Sequence, residues 1–185
     1  MSGLEGGWMR VGFQGEAGAF SHEACLRFAP ELAPVGFAAF EDVIAAVKSG
    51  AAERAMLPVE NSLAGPVEAV LRLLPDAGLT EVARYTLPIR MMLIGAPGGA
   101  VATLRQVASH PVALKQCRGV IGELGLVAEE VFDTAGAVRL LAEEPDVSRA
   151  ALASRAAAEL HGLPILRADV QDAADNQTTF ILVRA

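Results

Sequence analysis

Short apolar runs alternate along this chain with stretches whose apolar residues recur at helical spacing. Val11-Gly12-Phe13 reads as a strand, followed by a glycine-rich loop and a helix from about Ser21 to Phe28. Val35 to Phe40 reads as a second strand. The next helix opens on Glu41-Asp42, runs to about Lys48 and closes at Gly50; acid at its start and glycine past its end suit the helix dipole and a left-handed cap. Arg54 to Val59 predicts a third strand and Pro66 to Leu74 a helix with proline in its first turn. Arg84 to Ile94 is long and extended and ends in a glycine–proline cluster. The pattern then resumes with a short helix from Thr103, a helix over Val112–Leu124, a strand over Leu126–Val131 and a helix over Thr134–Glu143. A strand over Ala150–Ala153, a helix over Ser154–His161, an extended return over Leu163–Leu166 and a closing strand over Thr178–Val183 complete it.

Strands alternating with helices predict an α/β architecture with parallel strands. The long middle strand and the returning C-terminal strand predict two lobes joined by two crossings. Lobe 1 takes residues 10–84 plus 165–185, and lobe 2, residues 85–164, is inserted in it. Residues 1–9 form a glycine-rich flexible leader with neither the basic nor the apolar region of a signal peptide.

Composition narrows the function. Of 185 residues, 52% are hydrophobic but only 5% aromatic, so the core must be built mainly from Ala, Leu and Val. No apolar run approaches the roughly 18 residues of a membrane span. Net charge is −7 with no basic stripe, which speaks against nucleic-acid binding. Cys25 and Cys117 lie far apart, and His22, His110 and His161 do not complete a ligand spacing, so no metal site is expected. The expectation is a reduced, cytoplasmic protein.

Small polar residues gather where strands end and helices begin: Gly15–Ser21, Glu60-Asn61-Ser62, Ser109-His110, Asp133-Thr134 and Ser154. In open α/β sheets ligands bind at this edge, and helix N-termini there favour carboxylates or phosphates. Each position also has a plain structural reading. Asp133, Thr134 and Ser154 are ordinary helix-capping types, the glycines suit turns, and the G-x-x-G spacing matches no nucleotide-binding motif. The residues alone predict an anion-friendly α/β protein and do not name the anion.

The segments GFQGEAGAFSHEA (12–24), LPVENSLAGPV (57–67), SHPVALKQC (109–117), DTAGAV (133–138), ALASRAAAELHGL (151–163) and DNQTTFILV (175–183) together resemble the catalytic domain of the prephenate dehydratase family. The resemblance runs from about Arg10 to Ala185. It implies a two-lobed fold of the type II periplasmic-binding-protein kind with the active site in the inter-lobe cleft. It also implies a cofactor-free reaction in phenylalanine biosynthesis, in which prephenate loses carbon dioxide and its ring hydroxyl to give phenylpyruvate. A homodimer is implied as well. The chain departs from the family pattern in two places. Thr178-Thr179-Phe180 stands where the family has Thr-Arg-Phe, and the expectation is a catalytic domain without the C-terminal ACT domain that usually binds phenylalanine. Lys115, Arg155 or helix N-termini are the candidates to serve in place of the missing arginine.

By this resemblance Thr178 assists departure of the hydroxyl, as a hydrogen-bond donor that strengthens while charge develops on the leaving oxygen. Strand periodicity puts Phe180 on the same face as Thr178 and Thr179 on the other. Asn61, Ser62, Ser21, Thr134, Phe180 and Gln116 are the implied substrate contacts, with Glu60 as an orienting carboxylate. Three alternatives remain in view: a prephenate decarboxylase that does not aromatise the ring, an arogenate dehydratase, and a non-catalytic binder of small anions with the same fold.

Overall fold

The computed structural model describes residues 9–185; all of the expected leader except Met9 lies outside the described residues. The chain divides into two compact units. Unit 1 takes residues up to Gly15, Ala24–Leu87 and Thr178–Ala185; unit 2 takes Glu16–Glu23 and Pro88–Gln177.

Unit 1 holds a six-stranded sheet. Strands β1 (Arg10–Gln14), β2 (Ala33–Phe37) and β3 (Arg54–Asn61) are parallel in the order β2-β1-β3. Next to β3 lies β11 (Gln177–Arg184), antiparallel to it, and then β5 (Thr80–Pro88); the short β4 (Gly65–Pro66) pairs with β3 off this path. Helices α2 (Phe40–Ser49) and α3 (Glu68–Ala77) cover one face. Their Val43, Ile44, Val47 and Val70 pack on Ala55, Leu57 and Val59 of β3 and on Ile181 and Val183 of β11. The alternate residues Met56, Phe180 and Leu182 are equally buried, so these strands are covered on both faces, which explains why they read as continuous apolar runs. Helix α1 (Phe20–Phe28) ends with Phe28 stacked on Tyr85 of β5, ring centroids 4.5 Å apart.

Unit 2 holds a five-stranded sheet in the order β10-β6-β9-β7-β8, built from β6 (Met92–Gly95), β7 (Gln106–Ser109), β8 (Val127–Glu130), β9 (Arg149–Ala153) and β10 (Ile165–Arg167). Period-two alternation sorts its side chains cleanly. Leu93, Val107, Ala150 and Leu152 face α4 (Pro111–Gln116) and α5 (Arg118–Glu123). Met92, Ile94, Ala108, Ala151 and Ala153 face α6 (Thr134–Glu143) and α7 (Arg155–His161). On those two helices the contact residues include Ala137, Ala157 and Ala158, so close approach does what bulky aromatics do in other cores.

Several expectations are corrected. The sheets are mixed, because β11 runs antiparallel to β3, and β6 antiparallel to both β9 and β10. Pro66 belongs to β4, and α3 begins two residues later. The expected helix over Val112–Leu124 is broken at Cys117 into α4 and α5. The break is held by Asp172, whose carboxylate accepts from the Arg118 and Gly119 N–H groups at 2.9 Å. Residues 165–177, expected in lobe 1, fall in unit 2, because β10 pairs with β6 and the following segment hydrogen-bonds back to Ile89 and Met91. Residues 16–23, also expected in lobe 1, fall in unit 2 as well. Among the described residues no helix is long and apolar enough to cross a membrane.

Candidate active site

In unit 1 the candidates meet at one sheet edge. Because β11 runs antiparallel to β3, the start of β11 lies beside the end of β3, with Thr178 opposite Asn61 and Thr179 opposite Glu60. The register slips next, so that Phe180 faces Pro58 and Val59 is the extra residue of a bulge. The Val59 carbonyl instead accepts from Val67 N–H at 2.9 Å.

Asn61 organises this edge. Its Oδ1 accepts from the N–H groups of Leu63 (3.0 Å) and Ala64 (2.9 Å), an Asx turn that shapes the loop after β3. Those two donors fix which way the amide points, and its Nδ2 donates to Thr178 Oγ1 at 3.0 Å. A hydroxyl has one proton and two lone pairs. With a lone pair taken by Asn61, the Thr178 proton is directed to another acceptor. The pair is half-buried, which leaves Thr178 accessible while limiting water. Glu60 and Ser62 are exposed. Phe180, expected among the substrate contacts, is 1% exposed and forms part of the sheet interior. Burial there supports the strand that carries Thr178.

In unit 2 the loops after the parallel strands β7, β8 and β9 share one edge of the sheet. His110 caps α4, its side chain accepting from Val112 N–H at 3.2 Å. Asp133 caps α6, its Oδ1 accepting from Gly136 N–H at 2.6 Å, and Thr134 is the first helical residue behind it. The Asp133 carboxylate takes the Gly136 N–H at the α6 N-terminus, and Thr134 can offer its hydroxyl beside it. Gln116 ends α4, and its carbonyl accepts from Asp172 N–H at 2.7 Å. Ser21 stands in the first turn of α1.

Two serines at these strand ends tie backbone segments together. Ser109 is fully buried and donates to the Leu152 carbonyl at 2.6 Å, tying β7 to β9. Ser154, also fully buried, accepts from Ala157 N–H at 3.0 Å and donates to the Gly18 carbonyl at 2.6 Å. The only sequence signals for this link were the G-x-x-G spacing and a serine before a helix.

Both cysteines are buried, and desolvation pushes their thiols up to about 12, which suits packing and not nucleophilic chemistry. Among the described residues no group of three His, Cys, Asp or Glu is placed to hold a metal ion.

The sheet orders, the antiparallel strand set inside each sheet and the polar strand ends define a type II periplasmic-binding-protein-like fold. The methionine-binding protein MetQ, 12% identical at a TM-score of 0.50 over 95% of this chain and 82% of its own, shares that fold alone. Within this class the assignment is specific. A prephenate dehydratase family model matches residues 11–185, and the chain belongs to that family.

A bifunctional N-acyl-homoserine lactone acylase/prephenate dehydratase of Komagataeibacter europaeus is 45% identical over 93% of this chain and 61% of its own length. Arogenate dehydratase 2 of Petunia hybrida is 39% identical over 97% of this chain and 45% of its own length. The chain thus spans less than two thirds of these relatives. Among solved structures, one described as GqqA, a novel type of quorum quenching acylases, is 44% identical with a TM-score of 0.88, covering 95% of this chain and 64% of its own. The prephenate dehydratase of Arthrobacter aurescens, solved with L-Phe, is 27% identical with a TM-score of 0.85, covering 95% and 60%.

Proposed function

We propose that this chain catalyses the decarboxylating dehydration of prephenate to phenylpyruvate, releasing carbon dioxide and water, as a step towards phenylalanine. The observation that carries this reading, beside family membership, is the Asn61–Thr178 hydrogen bond. Cleavage of the ring C–O bond leaves negative charge on the departing oxygen, while aromatisation drives loss of the carboxylate. The protein's task is to hold a dianion and to present a donor at that oxygen. Asn61 leaves the Thr178 proton free for this: as the carbon–oxygen bond breaks, the Thr178 hydroxyl donates a hydrogen bond to the leaving oxygen, the bond shortens as charge develops, and the departing hydroxide takes a proton from solvent to become water. Ser62 and Ser21 contribute hydrogen bonds to the substrate, as do Gln116 and the Thr134 hydroxyl. Glu60 serves beside Asn61 as an orienting carboxylate. Thr179 stands where the family pattern has arginine, so carboxylate binding rests on neutral donors, with Lys115 or Arg155 as the remaining cations.

A second substrate is favoured by the 39% identity to the Petunia arogenate dehydratase. Arogenate carries an amine where prephenate carries a ketone, and the same Thr178 chemistry would give phenylalanine directly.

The deciding experiment mixes purified protein at neutral pH with prephenate, with arogenate and with an N-acyl-homoserine lactone, and follows carbon dioxide, phenylpyruvate, phenylalanine and free fatty acid. Phenylpyruvate with stoichiometric carbon dioxide is the expected outcome. Phenylalanine from arogenate alone would transfer the activity to the second substrate. Carbon dioxide without an aromatic product, or fatty acid alone, would overturn the dehydratase reading. Light scattering on the same sample tests the implied homodimer.

A further inference from the structure

Gly18 is held from three directions. Its N–H donates to His22 Nδ1 at 2.9 Å, one helical turn ahead. Its carbonyl accepts from Ser154 Oγ at 2.6 Å. Its missing side chain lets the loop lie on α7: a Cβ there would come within 2.9 Å of Ala157 Cα, and the backbone, at φ +94°, suits glycine. Ser154 joins two elements in this arrangement, since the hydroxyl that donates to Gly18 also accepts from Ala157 N–H and so caps α7.

The surrounding loop supplies little of its own. Glu16 and Ala17 are exposed, and the Glu16–Arg139 ion pair at 3.4 Å joins side chains that are 48% and 43% exposed, where such pairs contribute little. The first helical bond of α1 runs from Glu23 N–H to the Ala19 carbonyl, so Ala19 occupies the capping position and has no side-chain oxygen with which to cap. The start of α1 is therefore held by the bonds to Gly18 together with Phe20, which packs against the core of unit 2.

We propose that His22 and Ser154 are positioning residues: His22, from the first turn of α1, holds the Gly18 N–H, Ser154, the cap of α7, holds the Gly18 carbonyl, and together they fix the beginning of α1, and with it Ser21, in the geometry that binds substrate. The inference rests on the functional reading above and deepens it. Neither residue needs to touch the substrate. A released loop must be ordered again at each binding event, so its loss falls on KM and spares the chemistry at Thr178.

The test uses His22→Leu, which removes the acceptor, His22→Asn, whose amide oxygen can stand where Nδ1 stands, and Ser154→Ala. Amide exchange over residues 15–21 is read by mass spectrometry beside steady-state kinetics on prephenate and arogenate. His22→Leu and Ser154→Ala should speed exchange of this segment by about tenfold. They should raise KM by about tenfold with kcat within about threefold of wild type, and His22→Asn should return both readouts close to wild type. His22→Leu keeps the α7 cap, so it stands if Ser154→Ala fails to fold. Faster exchange with unchanged KM, unchanged exchange, an equal loss of kcat, or failure of His22→Asn to rescue would overturn the positioning role. A wild-type protein inactive on both substrates would instead overturn the functional reading and take the positioning role with it.

Discussion

Asn61 shows how a single side chain sets the chemistry of another. Its carbonyl oxygen is committed to two backbone N–H groups, so its amide can only donate to Thr178. Asn61→Asp keeps the shape and the Asx turn but places an acceptor against Thr178 Oγ1. The Thr178 proton then turns inward, and kcat should fall by roughly 10²–10³, the range typical for losing one aligned donor. Thr178→Ala should do the same, while Thr178→Ser retains most turnover; equal activity of Asn61→Asp and wild type would refute the orientation argument. His22 supplies a second residue-scale expectation. Burial lowers its pKa below the ordinary 6.5, so the unfolded chain takes up a proton more readily than the native one. Its contribution to stability is full above the unfolded value and is lost as pH falls through 6.5 towards the lower folded value. The urea midpoint should therefore drop between pH 7.5 and 5, and drop less in His22→Leu. At this scale the sequence made Asn61 and Thr178 legible through their motifs. It could not show their hydrogen bond, which spans 117 positions, nor the burial of Phe180, which depends on what packs over the strand.

Elements were legible where their signals are local. Helix α2 ends at Gly50 in the left-handed conformation, and α6 starts behind Asp133, both as their residue types suggest. Strand β7 was missed because Gln106-Val107-Ala108-Ser109 is only four residues long and weakly apolar, although it sits between β9 and β8. The break between α4 and α5 was illegible for a different reason. Its cap, Asp172, comes from 54 positions away. Asp172→Ala leaves the Arg118 and Gly119 N–H groups without that acceptor and should cost about 1–2 kcal/mol, as lost helix caps do, read as a lower denaturant midpoint with an unchanged slope. Gly119 belongs to the same device, since a Cβ there would lie 2.7 Å from Asp172 Oδ1.

For the whole molecule, the net charge of −7 opposes the approach of the proposed dianionic substrate. Raising salt from about 20 to 200 mM shortens the Debye length from roughly 20 Å to below 10 Å and screens that repulsion. With prephenate, kcat/KM should rise over this range; a marked fall would show that local cations dominate encounter. The α/β class and a change of unit near Arg84–Ile94 were visible in the pattern of the chain. The unit boundaries were less so, because the segment after β10 carries no periodicity and is placed only by hydrogen bonds to Ile89 and Met91.

Strand β11 lies between β3 and β5, inside the first sheet, yet it follows every other strand of the two sheets along the chain. On the ribosome the strands of unit 2 are all synthesised before residues 177–184 emerge. The inserted unit can thus complete its sheet while the unit that began first waits with an open seam between β3 and β5. Vectorial synthesis gives this protein an order of maturation opposite to its order of translation, and the strand that closes the seam is the one that delivers Thr178.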